Sequence, residues 1–139
     1  MILLDTNIVS EFMGTPPDPA VRDWLDMQNE AEIYLSSVSV AEILTGLGAL
    51  PKGRRRDGLE RDYTRFRATL SEANILAFDE AAAIELALVV EQRRARGHPI
   101  DWADAQIASI ASTHGLSVAT RNIKDFEGLG INLINPFKS

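Results

Sequence analysis

Apolar residues open the chain as an unbroken run. Met1–Leu4 has no polar position and ends in Asp5-Thr6-Asn7, the pattern of a short strand buried on both faces and followed by a capped helix. Thr15-Pro16-Pro17 breaks the chain, and Asp18 and Pro19 then open a helix with Val21, Trp24 and Leu25 on one face. Ile33–Leu35 reads as a second strand, and Ser39 to Leu50 as a helix ended by Pro51-Lys52-Gly53. From Arg54 to about Ala73, Leu59, Tyr63, Phe66 and Leu70 recur at helical spacing. Ile75–Phe78 is a third candidate strand, after which Asp79 caps an alanine-rich helix reaching Arg96. Asp101 caps the next helix, which runs to His114 and stops at Gly115. Ser117–Ala119 and Ile131–Ile134 bring the strands to about five.

Strands alternating with helices imply a parallel, helix-covered sheet of the α/β class, with its ligand site beyond the carboxyl ends of the strands. A length of 139 residues fits one domain, 1–139, with a real core. Without cysteine there is no disulfide, zinc-thiolate site or thiol nucleophile. Met1–Leu4 lacks the basic flank of a secretory signal, and the longest uncharged run, Ala105 to Thr120, falls short of a membrane span. The expected compartment is the cytoplasm, with no membrane partner.

A net charge of −6 argues weakly against a polyanion partner, but the charge is unevenly spread. Residues 1–50 hold one basic and eight acidic side chains, whereas residues 51–70 hold seven basic and three acidic. The Lys52–Arg67 segment is therefore the candidate footprint for a polyanion, against the plainer reading of a solvated helix face.

Three carboxylates fall where a surface pattern does not put them. Asp5 closes an apolar strand, although a helix cap alone explains it equally well. Glu42 is the only charge between Tyr34 and Lys52, on a helix with an apolar face and a face of small residues, neither of which looks solvated. Its plainer role is a capping box, Ser39-Val40-Ala41-Glu42. Asp104 shares a stripe with Ile107, Ala108 and Ala111 and so points toward the core, where an isolated carboxylate is costly. Asp101 reads better as the cap of the same helix. Thr120-Arg121-Asn122 and Asp125 follow a strand as turn formers do. Together these residues meet at one edge of one sheet, and like charges gathered there call for a divalent cation. Oxygen donors alone favour Mg²⁺ or Mn²⁺ over zinc.

Leu3-Leu4-Asp5-Thr6-Asn7, Val40-Ala41-Glu42, Asp101 to Ala108 and Ala119 to Phe126 resemble, in order and spacing, the four blocks of the PIN-domain nucleases, and within them the VapC-type toxins of the FitB-like branch. The resemblance covers almost the whole chain. It implies a three-layer α/β/α fold, a Mg²⁺- or Mn²⁺-dependent endoribonuclease acting on RNA, a VapB-type antitoxin partner and a homodimer. It carries metal-ligand roles onto Asp5, Glu42 and Asp104, with Asn122 in the catalytic set and Asp125 as a further ligand. Asn122 stands where many members have aspartate, so Asp125 is the candidate for the missing charge. Thr6 and Thr120 are expected to hydrogen-bond phosphate or metal-bound water.

Three rival readings are weaker. A metal-free ribonuclease needs two histidines, but His98 and His114 are separated by a helix of about 20 Å. An aspartyl-nucleophile phosphatase needs a second aspartate where Asn7 stands. The alternative from another class is a catalytically weak PIN-fold binding module acting through protein contacts. Finally, the helix after Asp79 is apolar all round, which predicts burial on several sides, one of them at a dimer contact.

Overall fold

The computed structural model describes residues 1–137. Five parallel strands form one sheet in the order β3-β2-β1-β4-β5, with β1 Ile2–Leu4, β2 Ile33–Ser36, β3 Ile75–Leu76, β4 Ser117–Ala119 and β5 Leu133–Ile134. Helices α1 Thr6–Glu11 and α2 Pro19–Asp26 connect β1 to β2, and α3 Ser37–Gly48 and α4 Arg54–Ala68 connect β2 to β3. Helices α5 Glu80–Ala95 and α6 Trp102–His114 cross to β4. The three layers follow from the pleat. Leu3, paired with Tyr34 and Val118, faces α5 and α6, whereas Leu4, paired with Leu35 and Ala119, faces α1 to α4. Both residues are fully buried, as an all-parallel sheet covered on two sides requires.

The chain leaves β1 toward β2 and β3 and later returns to the opposite flank of β1 as β4. The carboxyl ends of β1 and β4 therefore border the switch point, the crevice where doubly covered sheets seat ligands. Helix α6 runs back to the other edge, where Gly115 ends it at φ 64 and Ser117 N–H donates to the Met1 carbonyl at 3.1 Å.

Three local expectations are corrected. Helix α3 begins at Ser37, not Ser39, because the Ser36 hydroxyl caps it by accepting the Ser39 N–H at 3.0 Å; the Ser39–Glu42 capping box does not form. The outer face of α3, with Glu42, Thr45, Gly46 and Ala49, is exposed. Helix α5 is buried along one stripe only, Ala82, Leu86, Val89 and Arg93, while Ile84 is 63% and Leu88 51% exposed. Among the described residues no helix is long and apolar enough to cross a membrane.

The edge strand β3 is too short to hold itself by its ladder, and a side chain supplies the missing tie. Buried Asn74 donates through Nδ2 to the carbonyls of Ala31 at 3.1 Å and Ile33 at 2.8 Å, while Ser71 donates to its Oδ1. Asn74→Ala leaves those carbonyls without their donor, and should cost about 2 kcal/mol in a urea titration. An unchanged midpoint would assign no such tie to Asn74.

Candidate active site

Asp5 stands one residue past β1 and is only 6% exposed. Its Oδ1 accepts the Thr6 N–H at 2.8 Å, capping α1, and its Oδ2 accepts the Thr120 hydroxyl at 2.8 Å and Asn7 Nδ2 at 3.2 Å. The cap and the functional reading therefore coexist in one carboxylate. Asn7 in turn accepts the Arg121 N–H at 3.3 Å, so the ends of β1 and β4 are laced together. Glu42 reaches across from α3, its Oε1 accepting the Thr6 hydroxyl at 2.7 Å; that hydroxyl also lies 2.8 Å from the Ser39 hydroxyl. Thr6 and Thr120 thus each hold a carboxylate of the edge directly.

Asp104 occupies the first turn of α6, half-buried above Ala105, Ile107 and Ala108. Burial, followed by the like charges of Asp5, Asp125, Asp101 and Glu42, pushes its carboxyl up to about 7. Burial also raises Asp5 above its ordinary value; the Thr120 and Thr6 hydrogen bonds oppose the rise, and Glu42 and Asp125 add to it. Asp101 caps α6 by position, without a side-chain hydrogen bond to its amides.

The loop after β4 separates its two candidates. Asn122 is exposed and enters the network only through its backbone, its N–H donating to Thr120 Oγ1 at 3.0 Å. Asp125 lies in a single 3-10 turn, Ile123–Asp125, and its charge is felt at both Asp5 and Asp104. Fully buried Phe126 sinks the turn into the core against α5 and α6. Arg93, 7% exposed near the end of α5, donates from Nη1 to the Asp125 carbonyl at 2.6 Å and from Nε to the His98 carbonyl at 2.8 Å. Sequence reasoning missed Arg93, although its place on the Ala82, Leu86, Val89 stripe was a signal that this arginine turns inward. His98 lies beside this edge and His114 at the opposite one, so they cannot share a phosphate.

The donor set is all oxygen and suits a hard divalent cation, because Asp104 carries the repulsion that such an ion relieves. Among the described residues no three acids or histidines yet close to the spacing that would hold an ion in common. Thr6 and Thr120 occupy the near approaches to Glu42 and Asp5.

A profile of the PIN domain matches residues 2–130. The VapC ribonuclease Y4jK of Sinorhizobium fredii is 38% identical over 138 residues, covering 99% of each chain. Toxin FitB of Neisseria gonorrhoeae is 35% identical over 137 residues, again 99% of each. The crystal structure of FitAcB from Neisseria gonorrhoeae superposes with a TM-score of 0.91 at 34% identity, covering 100% of both chains.

The raised Asp104 has a stability consequence. Its folded-state value near 7 lies above the unfolded one near 3.8, so stability falls as pH rises between the two and levels above the upper value. Asp104→Asn removes that loss. In chelator the variant should melt above the wild type at about pH 8, with the gap closing toward about pH 4. Thermal melts showing equal stability at both pH values would remove the repulsion from the account.

Proposed function

Because the chain belongs to the PIN-domain family, we propose that it is a Mg²⁺- or Mn²⁺-dependent endoribonuclease that hydrolyses RNA phosphodiesters, acts in the cytoplasm as the toxin of a toxin-antitoxin pair, and uses residues 1–139 as one domain. The observation that carries the catalytic reading is the gathering of Asp5, Glu42, Asp104 and Asp125 at the switch point, with Asp104 raised to about 7 by burial and then by its acidic neighbours. A VapB-type antitoxin as partner is supported by the relative named a toxin and by the likeness to the FitAcB structure.

Asp5, Glu42 and Asp104 would hold the metal, with Asp125 as a further ligand. When bound, such an ion acidifies a water and offsets charge on the phosphoryl oxygens. Asp5, fixed by Thr6, Asn7 and Thr120, is the rigid member and sets the position of the others. Glu42 uses Oε1 for Thr6, which leaves Oε2 to bind the metal or to position the attacking water. Asn122 presents a neutral amide at the rim, suited to orient the substrate phosphate. Arg93 holds the backbone of Asp125, so the acidic turn cannot drift from the edge.

Purified protein should cleave RNA with Mn²⁺ or Mg²⁺ and lose the activity in chelator. Asp5→Asn and Asp104→Asn should each cut the rate by about a hundredfold or more, the scale lost with one preorganised group at a reacting centre. Asp125→Asn should raise the metal concentration for half-maximal cleavage by about tenfold, while Asn122→Asp changes it little. Cleavage indifferent to chelator, or a fully active Asp104→Asn protein, would reject the mechanism.

The homodimer expectation finds support in α5, whose outer face exposes Ile84 and Leu88 to solvent in the single chain. Sedimentation at micromolar concentration should show a dimer that Ile84→Glu with Leu88→Glu converts to monomer. A wild-type monomer would exclude this contact.

A further inference from the structure

The carboxylate edge continues past Glu42. Thr6 and Glu42 also line a trough of about 260 Å³ with Met13, Ile43, Leu47 and Leu59 on its apolar floor. Met13 and Leu59 belong equally to a second opening of about 610 Å³, whose far wall is Arg54, Arg55, Gly58 and Arg61. The two openings adjoin at Met13 and Leu59, and taken as one channel they run from the acidic edge, past apolar side chains, to three arginines on α4. The turn after α1 is pressed against that helix. Gly14 sits there at φ +85, a Cβ on it would lie 3.2 Å from Leu59 Cδ2, and its N–H donates to Asp62 at 2.8 Å.

Fold stability does not account for the arginines. Among the described residues, the ion pairs of α4 join Arg56 to Glu60 and Arg67 to Glu72, and none involves Arg54, Arg55 or Arg61. Asp62, the acid in the same lining, accepts the Gly14 N–H and, among the described residues, makes no ion pair with these arginines. Arg54 and Arg55 occupy the first turn of α4, where the helix dipole disfavours cations, and no side chain caps that turn. Gly58 lies on one stripe with Arg54 and Arg61. A helix-interior glycine costs about 1 kcal/mol relative to alanine. A Cβ at Gly58 would meet nothing nearer than the Arg61 guanidinium at 3.7 Å, so packing within the chain does not demand the glycine. It leaves bare backbone in the middle of the arginine wall.

We infer that this channel is the track of the RNA strand on one side of the cleaved bond, with Arg54, Arg55 and Arg61 receiving backbone phosphates and Gly58 admitting their close approach. The inference rests on the ribonuclease reading for its direction. A chain of net charge −6 repels a polyanion at long range, so a local cluster of unpaired guanidinium groups leading to the acidic edge answers that need. A protein segment laid in the same channel would match its apolar floor but would meet three unpaired cations at its end.

The test titrates a labelled single-stranded RNA oligonucleotide with the full chain carrying Asp104→Asn, in Mg²⁺, over a salt series read by fluorescence anisotropy. Arg54→Gln, Arg55→Gln and Arg61→Gln together should weaken binding at least about tenfold at about 0.1 M salt, and make the slope of log affinity against log salt shallower by about 2. A charge-matched control, Arg22→Gln, Arg94→Gln and Arg96→Gln, should stay within about twofold of its parent. Equal binding by the channel variant, an equal loss in the control, or no binding by the parent overturns the track. The readout needs no turnover. Arginine-dependent binding by a chain whose wild type cuts no RNA would therefore keep the track and reject the ribonuclease, whereas cleavage with arginine-independent binding would do the reverse.

Discussion

The hydrogen bond from the Thr120 hydroxyl to Asp5 joins the carboxyl ends of β4 and β1 across the crevice where the chain changes direction in the sheet. A carboxylate only 6% exposed must be fully hydrogen-bonded or else neutral. Asp5 meets that constraint with one backbone donor and one side-chain donor from the start of α1 and one side-chain donor just past β4. The rest of the acidic edge takes its position from this knot, because Thr6, which caps onto Asp5, is also the residue that Glu42 grips from α3.

Elsewhere the molecule is built conservatively, and that is what allows an edge of like charges. The central strands are covered on both faces by apolar layers, and among the described residues no buried side-chain polar atom lacks a partner. Repulsion is therefore confined to one place, where the burial of Asp104 and its acidic neighbours act in the same direction. The edge is nonetheless held in a fixed arrangement. Arg93 and Phe126 keep it so from behind, one by holding backbone carbonyls and the other by filling the core beneath the acidic turn.

Much of this was legible in the residues. The unbroken run before Asp5, the apolar stripe shared by Asp104 and the order of the four blocks led to the sheet, its edge and three of its acids. The plain cap reading of Asp5 held, whereas the capping box at Ser39 failed for a local reason that a pattern cannot weigh. Ser36 and Ser39 are equally good caps on paper, and only the end of β2 decides that Ser36 starts the helix, which frees Glu42 for Thr6. Asn122 and Asp125 are both turn residues, and their difference lies in how Phe126 seats the loop. Arg93 carried one signal, its place on the buried stripe of α5, but a charged residue at a helix end is normally solvated and its main-chain carbonyl partners leave no mark in side-chain sequence.

The passage from β4 to β5 is made without a helix: residues 120–132 cross the sheet end as loop and a single 3-10 turn. Parallel neighbours are usually joined through a packed helix, whose own ladder resists opening. Here the same span both carries Asp125 and delivers a two-residue edge strand, with Phe126 as its main anchor. The β5 margin and the acidic turn thus share one anchor, in a part of the sheet with few ladder bonds. Opening on warming is expected to begin at this margin, so the acidic turn would shift before the central strands part.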